Sequence, residues 1–503
     1  MKETAIVNST TGKLKGYLEH GLCVFKGIPY AQPPINELRF RNPVEKEPWD
    51  GILEAVEFGS IAPQPDIEGS SIRYHPQSED CLTLNIWTPA CDNEVRPVMF
   101  WIHGGGFHYG GGPSPRYNGK FLSQRGNICV VTINYRLGAL GNLYVPDEVS
   151  NLGFMDQVAA LKWVHDNISH FGGDPNNITI FGESAGSTSV CTLLSMPAAK
   201  PFIRRAICQS GALDPQAHDT AGGMLATKTL FSRLGLKPGD INSIRKINVE
   251  KLIKKEAEIR TENWEKRDWI GYPPIIDENK VPEHPLIAIN KGASKKVDLL
   301  IGTNFDENTF FSMLTPKLQY IDWSGLTDYI SMILSKLRLD KIQIAKIINE
   351  YKQSRNNPFD VLNAICTDFV FRYPSIKVAE AQVKHNNNTF MYLFTYRTPV
   401  LGGNYGATHA LEIPFVFGTL DETEFGVYPK RDDLNSKISE LMMDSWISFA
   451  RSGNPSHKEI PPWPTYDLDN RKTLIFGNVI KIERDPLGPE RLAMETLPFK
   501  YKI

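Results

Sequence analysis

The sequence predicts an α/β protein, a mostly parallel central sheet flanked by helices, and three observations carry that reading. Apolar runs with no polar alternation, Val98 to Ile102 and Ile128 to Ile133, suit strands covered on both faces. The period then changes: Val158, Leu161, Val164 and Ile168 mark one face of a helix over Asp156 to His170. Strand and helix patterns alternate from there on, which is the signature of a parallel sheet wrapped by helices.

Taken in order, Gly104-Gly105-Gly106 stops the first strand. Gly172-Gly173-Asp174-Pro175 caps and stops the helix. Ile178 to Phe181 is the next strand and runs straight into Gly182. Val297 to Ile301 and Phe390 to Tyr396 read as later strands. Leu434 to Arg451 is an amphipathic helix, with Leu434, Ile438, Leu441, Met442, Ser445, Trp446 and Phe449 along one side. Helical, polar insertions at about 220–270 and 315–385 would build walls over the sheet edge where ligands bind.

Composition narrows the function classes. The 503 residues carry 55 Lys+Arg against 57 Asp+Glu, a net charge of −2, so there is no bulk basic field for nucleic acid or anionic membrane. With 41% hydrophobic residues the chain can bury a large core and support a deep cleft, which favours an enzyme. No signal-peptide h-region follows the N-terminal charges, and no apolar run is long enough to span a bilayer. Seven scattered cysteines give neither a disulfide framework nor a CxxC pair, and HExxH is absent, so no metal or other cofactor is expected. Of the sequons, Asn177-Ile178-Thr179 falls in a strand read as buried.

The sharpest motif is Gly182-Glu183-Ser184-Ala185-Gly186, a G-x-S-x-G between an apolar strand and a small-residue helix. Such an elbow holds the serine oxygen exposed on a strained backbone, and its glycines remove Cβ atoms that would strike neighbouring backbone. Upstream, a strand ends in His103-Gly104-Gly105-Gly106-Phe107. Consecutive glycines let N–H groups converge on one point, where they stabilise the oxyanion of a tetrahedral intermediate. The remaining donor in this architecture is the N–H after the nucleophile, Ala185. Neither G-x-G-x-x-G nor a P-loop fits the tract.

The elbow architecture orders its triad serine, acid, histidine. Five histidines follow Ser184. His385 and His457 lie in polar loops and read as solvated. His218 and His284 come too early to follow an acid near 306. His409 stands between a glycine-containing loop, 402–408, and the apolar run 413–418, as a positioned base requires. The strand Val297 to Ile301 ends in Gly302-Thr303-Asn304-Phe305-Asp306-Glu307, and spacing alone does not separate Asp306 from Glu307 as the acid. One of the two is structural, and Asn304 to Glu307 also suits a helix N-terminal turn.

Together with Phe25 to Ala31, Leu38-Arg39-Phe40, Ser78 to Ile86, Asn134 to Gly138, Phe171 to Pro175 and Trp463 to Tyr466, these motifs resemble the type-B carboxylesterases over nearly the whole chain. Within that family the resemblance is to the bacterial para-nitrobenzyl esterase-like enzymes. It implies an α/β-hydrolase fold in one domain, residues 1–503, with large insertions around an active-site gorge. It implies the triad Ser184, Glu307 and His409, the oxyanion donors Gly105, Gly106 and Ala185, a buried acid at Glu183 and a supporting serine at Ser210.

Two departures matter. Relatives pair the cysteine of Glu-Asp-Cys-Leu with one in Cys-Pro-Gln, and here that stretch reads Ala62-Pro63-Gln64. Cys81 is therefore expected to stay unpaired, as suits a cytoplasmic protein. No tryptophan lies between Trp49 and Trp87, where cholinesterases bind choline, so capture of a quaternary ammonium there is not expected. The expected protein is a monomeric serine carboxylesterase acting on small uncharged esters, with no nucleic-acid or membrane partner. A catalytically silent scaffold and a lipase or peptidase are the competing readings. Phe107 and the stretches 64–75 and 310–318 are candidate pocket walls.

Overall fold

The computed structural model describes residues 4–66, 72, 75–211, 219–266, 272–422 and 426–499. Thirteen strands join one sheet. They are β1 (Thr4–Ser9), β2 (Gly12–Glu19), β3 (Leu22–Pro29), β4 (Ile52–Glu54), β5 (Thr83–Thr88), β6 (Arg96–Ile102), β7 (Cys129–Ile133), β8 (Gly173–Glu183), β9 (Arg205–Gln209), β10 (Asp298–Asn304), β11 (Thr389–Phe394), β12 (Lys472–Phe476) and β13 (Lys481–Arg484). Their order is β1-β2-β3-β5-β7-β6-β8-β9-β10-β11-β12-β13, with β4 beside β2. From β7 to β12 every neighbouring pair is parallel; β1, β2, β3 and β5 form an antiparallel flank and β13 closes the far edge antiparallel.

The continuous apolar runs have a direct cause. Along β6, Val98, Phe100 and Ile102 enter one core while Met99 and Trp101 enter another on the opposite face. In β7, Cys129, Val131 and Ile133 face the first core and Val130 the second. A strand buried on both sides has no position where a polar residue reaches water, so alternation vanishes.

The predicted helix is Leu152–Asn167, continued by a 3-10 turn that ends at Gly172 with φ 76°. A side chain at Gly172 would meet the Ala90 carbonyl at 2.7 Å, so both the turn and the packing demand glycine. The amphipathic helix read from 434–451 runs Asp433–Ser452, started by a reciprocal Asp432/Asn435 capping box and ended by Gly453 in the left-handed region. The insertion at 315–385 is helical as expected. It builds a separate core from Leu326, Ile330, Ile347, Leu362 and neighbours.

One buried ion pair anchors the segment behind the site. The Asp156 carboxylate accepts from Arg136 Nη2 at 2.7 Å, Nε at 2.8 Å and the Arg136 backbone N–H at 3.1 Å, with both residues inaccessible. Asp156→Ala strands the guanidinium in the interior and is expected to lose about 3–5 kcal/mol. Urea unfolding checks this, and an apolar double replacement, Arg136→Met with Asp156→Leu, should recover much of the loss.

All seven cysteines are free thiols. Cys81 is buried and burial pushes its thiol up. Among the described residues no helix is long and apolar enough to cross a membrane.

Candidate active site

The site lies where β6, β8, β10 and β11 deliver their C-terminal ends, the edge at which open parallel sheets present ligand-binding groups. Ser184 joins β8 to the helix Ala185–Ser195 with φ 55° and ψ −123°, a conformation non-glycine residues rarely hold. The elbow is over-determined by contact. A side chain on Gly182 would meet Gly186 backbone at 2.6 Å and the Ile102 carbonyl at 2.7 Å, and one on Gly186 would overlap that same carbonyl. Ser184 N–H donates to the Gln209 carbonyl at 2.9 Å, tying the turn to β9.

The glycine loop after β6 stands directly over the serine. A Cβ on Gly104 would lie 3.1 Å from Ser184 Cβ. Gly105 and Gly106 take φ of 106° and 63° and are exposed. The N–H groups of Gly105, Gly106 and Ala185 have no acceptor among the described residues, so they remain available for an oxygen placed between them. The loop is held from behind. Gln64 bonds both the N–H and the C=O of Gly110 at 2.8 Å, and Asn134 accepts from Gly112 N–H at 2.8 Å. His103 stacks on Tyr135 at 4.4 Å and burial lowers its pKa to about 4, so the neutral ring donates from Nδ1 to the Gly104 carbonyl.

His409 and Glu307 come together across 102 residues of chain, with Nδ1 2.6 Å from Glu307 Oε2. Glu307 Oε1 accepts from Asn304 N–H at 2.7 Å, so the turn at the end of β10 aims the carboxylate. Asp306, left open beside it by spacing, points elsewhere: it accepts from Ala407 N–H at 2.8 Å and pairs with Arg397 at 3.1 Å. Phe371, Phe311 and Phe310 surround the imidazole at centroid distances of 4.7, 5.2 and 6.4 Å. Phe371 belongs to a π-helical turn, Asp368–Arg372, a distortion that places its ring over the site.

Nε2 of His409 faces Glu183 Oε1 at 3.1 Å, while Ser184 Oγ makes no hydrogen bond among the described residues. Such contacts tighten on substrate binding. Burial drives the His409 pKa down, but Glu183 and then Glu307 outweigh it and it stands at about 9. Burial raises Glu183 to about 8, against the pull of His409. The two titrate as a pair. Turnover is expected to climb with pH as the imidazolium loses its proton toward 9. Removing a neighbouring carboxylate destabilises the imidazolium, so Glu183→Gln should move the ascending limb of a kcat/KM profile to lower pH.

Sequence reasoning missed Glu412, three residues after His409. It accepts from Asn304 Nδ2 at 2.7 Å and Gln209 Nε2 at 3.1 Å, and burial followed by Glu307 raises it to about 7. The i, i+3 spacing of His409 and Glu412 was the available signal. Ser210 lies behind the elbow at the end of β9; its hydroxyl is buried with no hydrogen-bond partner among the described residues. Phe107 packs on Phe154 in the core and is buried, so it does not form an open wall. His385 is solvated as expected, but His457 is half-buried, with Nε2 3.1 Å from the Leu441 carbonyl. His218 and residues 67–71, 73 and 74 of the wall stretch lie outside the described residues.

The model of the carboxylesterase family matches residues 3–490. The chain belongs to the carboxylesterase family. It is 38% identical over 492 residues to the para-nitrobenzyl esterase of Bacillus subtilis, covering 97% of each protein. It is 34% identical to the phenmedipham hydrolase of Pseudarthrobacter oxydans, over 98% of this chain and 99% of that one. The crystal structure of a Geobacillus stearothermophilus carboxylesterase superposes with a TM-score of 0.88 at 37% identity, over 97% and 99% of the two chains. The sheet and its flanking helices are thus those of the α/β-hydrolase fold, and the esterase is a serine hydrolase of carboxylic ester bonds.

Proposed function

We propose that this carboxylesterase hydrolyses small uncharged esters through an acyl-enzyme formed on Ser184. His409 takes the Ser184 proton as the oxygen attacks the ester carbonyl. Glu307 orients the imidazole and stabilises its cation. Gly105, Gly106 and Ala185 hold the oxyanion, and His409 returns the proton to the leaving alcohol before water repeats the cycle. Glu183 parks the resting imidazole and releases Nε2 to Ser184 when substrate enters. Ser210 supports the elbow from below.

The observation that carries this reading is the 2.6 Å Glu307–His409 contact beside a strained serine whose facing N–H groups lack acceptors among the described residues. An organophosphate serine probe should label the protein at Ser184 and nowhere else, as read by mass spectrometry of the digested adduct. Labelling elsewhere, or none, defeats the assignment. A para-nitrophenyl ester series of increasing acyl length then measures the pocket.

Residues 1–503 are read as one domain, because a single sheet draws the proposed site from positions 104 to 409. A monomeric, cytoplasmic enzyme fits seven free thiols and Ala62 in place of the expected cysteine partner of Cys81.

A further inference from the structure

The oxyanion loop is backed by one face of the helix Val249–Lys266. Glu256, Arg260 and Asn263 stand at i, i+4 and i+7 on that face. Glu256 is fully used: Oε1 contacts His108 Nδ1 at 2.8 Å and Oε2 accepts from Ala139 N–H at 3.0 Å. One turn on, the Arg260 guanidinium lies over the Tyr109 ring, 4.4 Å from its centroid. Tyr109 is packed on the oxyanion loop itself. Its N–H donates to the Gly105 carbonyl at 3.1 Å, and a side chain on Gly105 would touch Tyr109 Cβ at 3.2 Å.

Arg260 has no carboxylate partner among the described residues, and its buried Nε–H donates to nothing. The Asn263 Nδ2 amide, also buried, has no acceptor among the described residues either. At these two atoms the side chains can only donate, so what is missing there is an acceptor. Burial alone acts on the guanidinium and lowers its pKa. A desolvated cation without a counter-charge is costly to keep, and buried charges are ordinarily paired. Arg260 is half-buried, so its remaining donors face solvent.

We propose that Arg260, with Asn263, forms a carboxylate-binding subsite beside the oxyanion loop, which makes esters carrying a second, anionic carboxylate group preferred substrates. The assignment rests on the esterase reading and sharpens its substrate class. Neutral esters are turned over, and those bearing a remote carboxylate are turned over better. The chain's net charge of −2 describes the bulk field, whereas selectivity beside the oxyanion loop follows from the Arg260 guanidinium, which has no carboxylate partner among the described residues.

Two matched ester pairs test it. Para-nitrophenyl hydrogen glutarate against para-nitrophenyl butyrate places the carboxylate on the acyl side. The butyrate ester of 3-hydroxybenzoate against phenyl butyrate places it on the alcohol side. The charged-to-neutral ratio of kcat/KM should exceed one in at least one pair. Arg260→Gln should lower that ratio about tenfold or more, Arg260→Lys should restore part of it, and added salt should erode it. Glutarate should bind the Ser184→Ala protein in calorimetry and fail to bind Arg260→Gln, a readout that does not depend on turnover. No charged preference in either pair, an equal fall for both members of a pair, or glutarate binding unchanged in Arg260→Gln each overturns the subsite. Loss of neutral-ester turnover in the parent protein would count against the esterase chemistry alone, since glutarate binding still reads the subsite.

Discussion

Ser184→Ala is expected to lower kcat for para-nitrophenyl butyrate by about 10⁵–10⁶-fold while leaving the folded state intact. The magnitude follows from how triads behave as units, since removing the nucleophile costs about as much as removing all members together. Residual turnover of about 10³-fold over water should survive, because the N–H groups of Gly105, Gly106 and Ala185 remain aimed at the oxyanion. The substitution is mild structurally: Ser184 Oγ has no hydrogen bond to lose among the described residues, and a Cβ is retained in the same strained backbone. A single-turnover assay with active-site titration separates this from trace contamination. Near-parental turnover would remove Ser184 from the mechanism.

The second large effect is expected at Glu307. Glu307→Gln should lower kcat about 10⁴-fold at almost unchanged volume. The carboxylate accepts on two sides, from Asn304 N–H through Oε1 at 2.7 Å and against His409 Nδ1 through Oε2 at 2.6 Å. A glutamine has one oxygen and one NH₂. The Asn304 donor is backbone and cannot change role, so it claims the oxygen. The NH₂ then faces Nδ1, which must become an acceptor, and the imidazole proton moves to Nε2. That is the wrong tautomer for taking a proton from Ser184, the same fault that makes an acid-to-amide change in a serine triad so damaging. Asp306→Asn is the internal comparison. Its oxygen can still accept from Ala407 N–H, and the ion pair it gives up is with Arg397, which is largely exposed, so less than a tenfold change is expected. Equal losses at 306 and 307 would contradict the orientation argument.

These two residues also mark a boundary of what the sequence reveals. Adjacent carboxylates after a strand are indistinguishable by pattern, because the choice depends on which one the turn at Asn304 rotates toward a histidine 102 residues away. The family resemblance pointed to Glu307, and the geometry brings that residue to His409. By contrast the parallel strands were legible. Burial on both faces leaves a continuous apolar record in β6 and β7, and that record needs no knowledge of neighbours. The antiparallel flank of β1, β2, β3 and β5 was not anticipated, since these strands take their pairing from partners rather than from composition. Phe107, a candidate wall in the sequence, is buried for a similar reason: an aromatic after a glycine tract can face the cleft or the core, and packing against Phe154 decides.

By itself the sequence determined the α/β architecture, the elbow at Ser184, the glycine loop at 104–106 and the candidacy of His409. Each is a local demand: a strand-to-helix turn without room for Cβ atoms, or a run whose two faces are both dry. Only the tertiary structure decided that Nε2 rests against Glu183, that Glu412 lies buried beneath the site, and that Arg260 lies over Tyr109 with no carboxylate partner among the described residues. Those are facts about charges, and the energy of a charge is set by the burial and partners that folding assembles from distant parts of the chain, which no local pattern encodes.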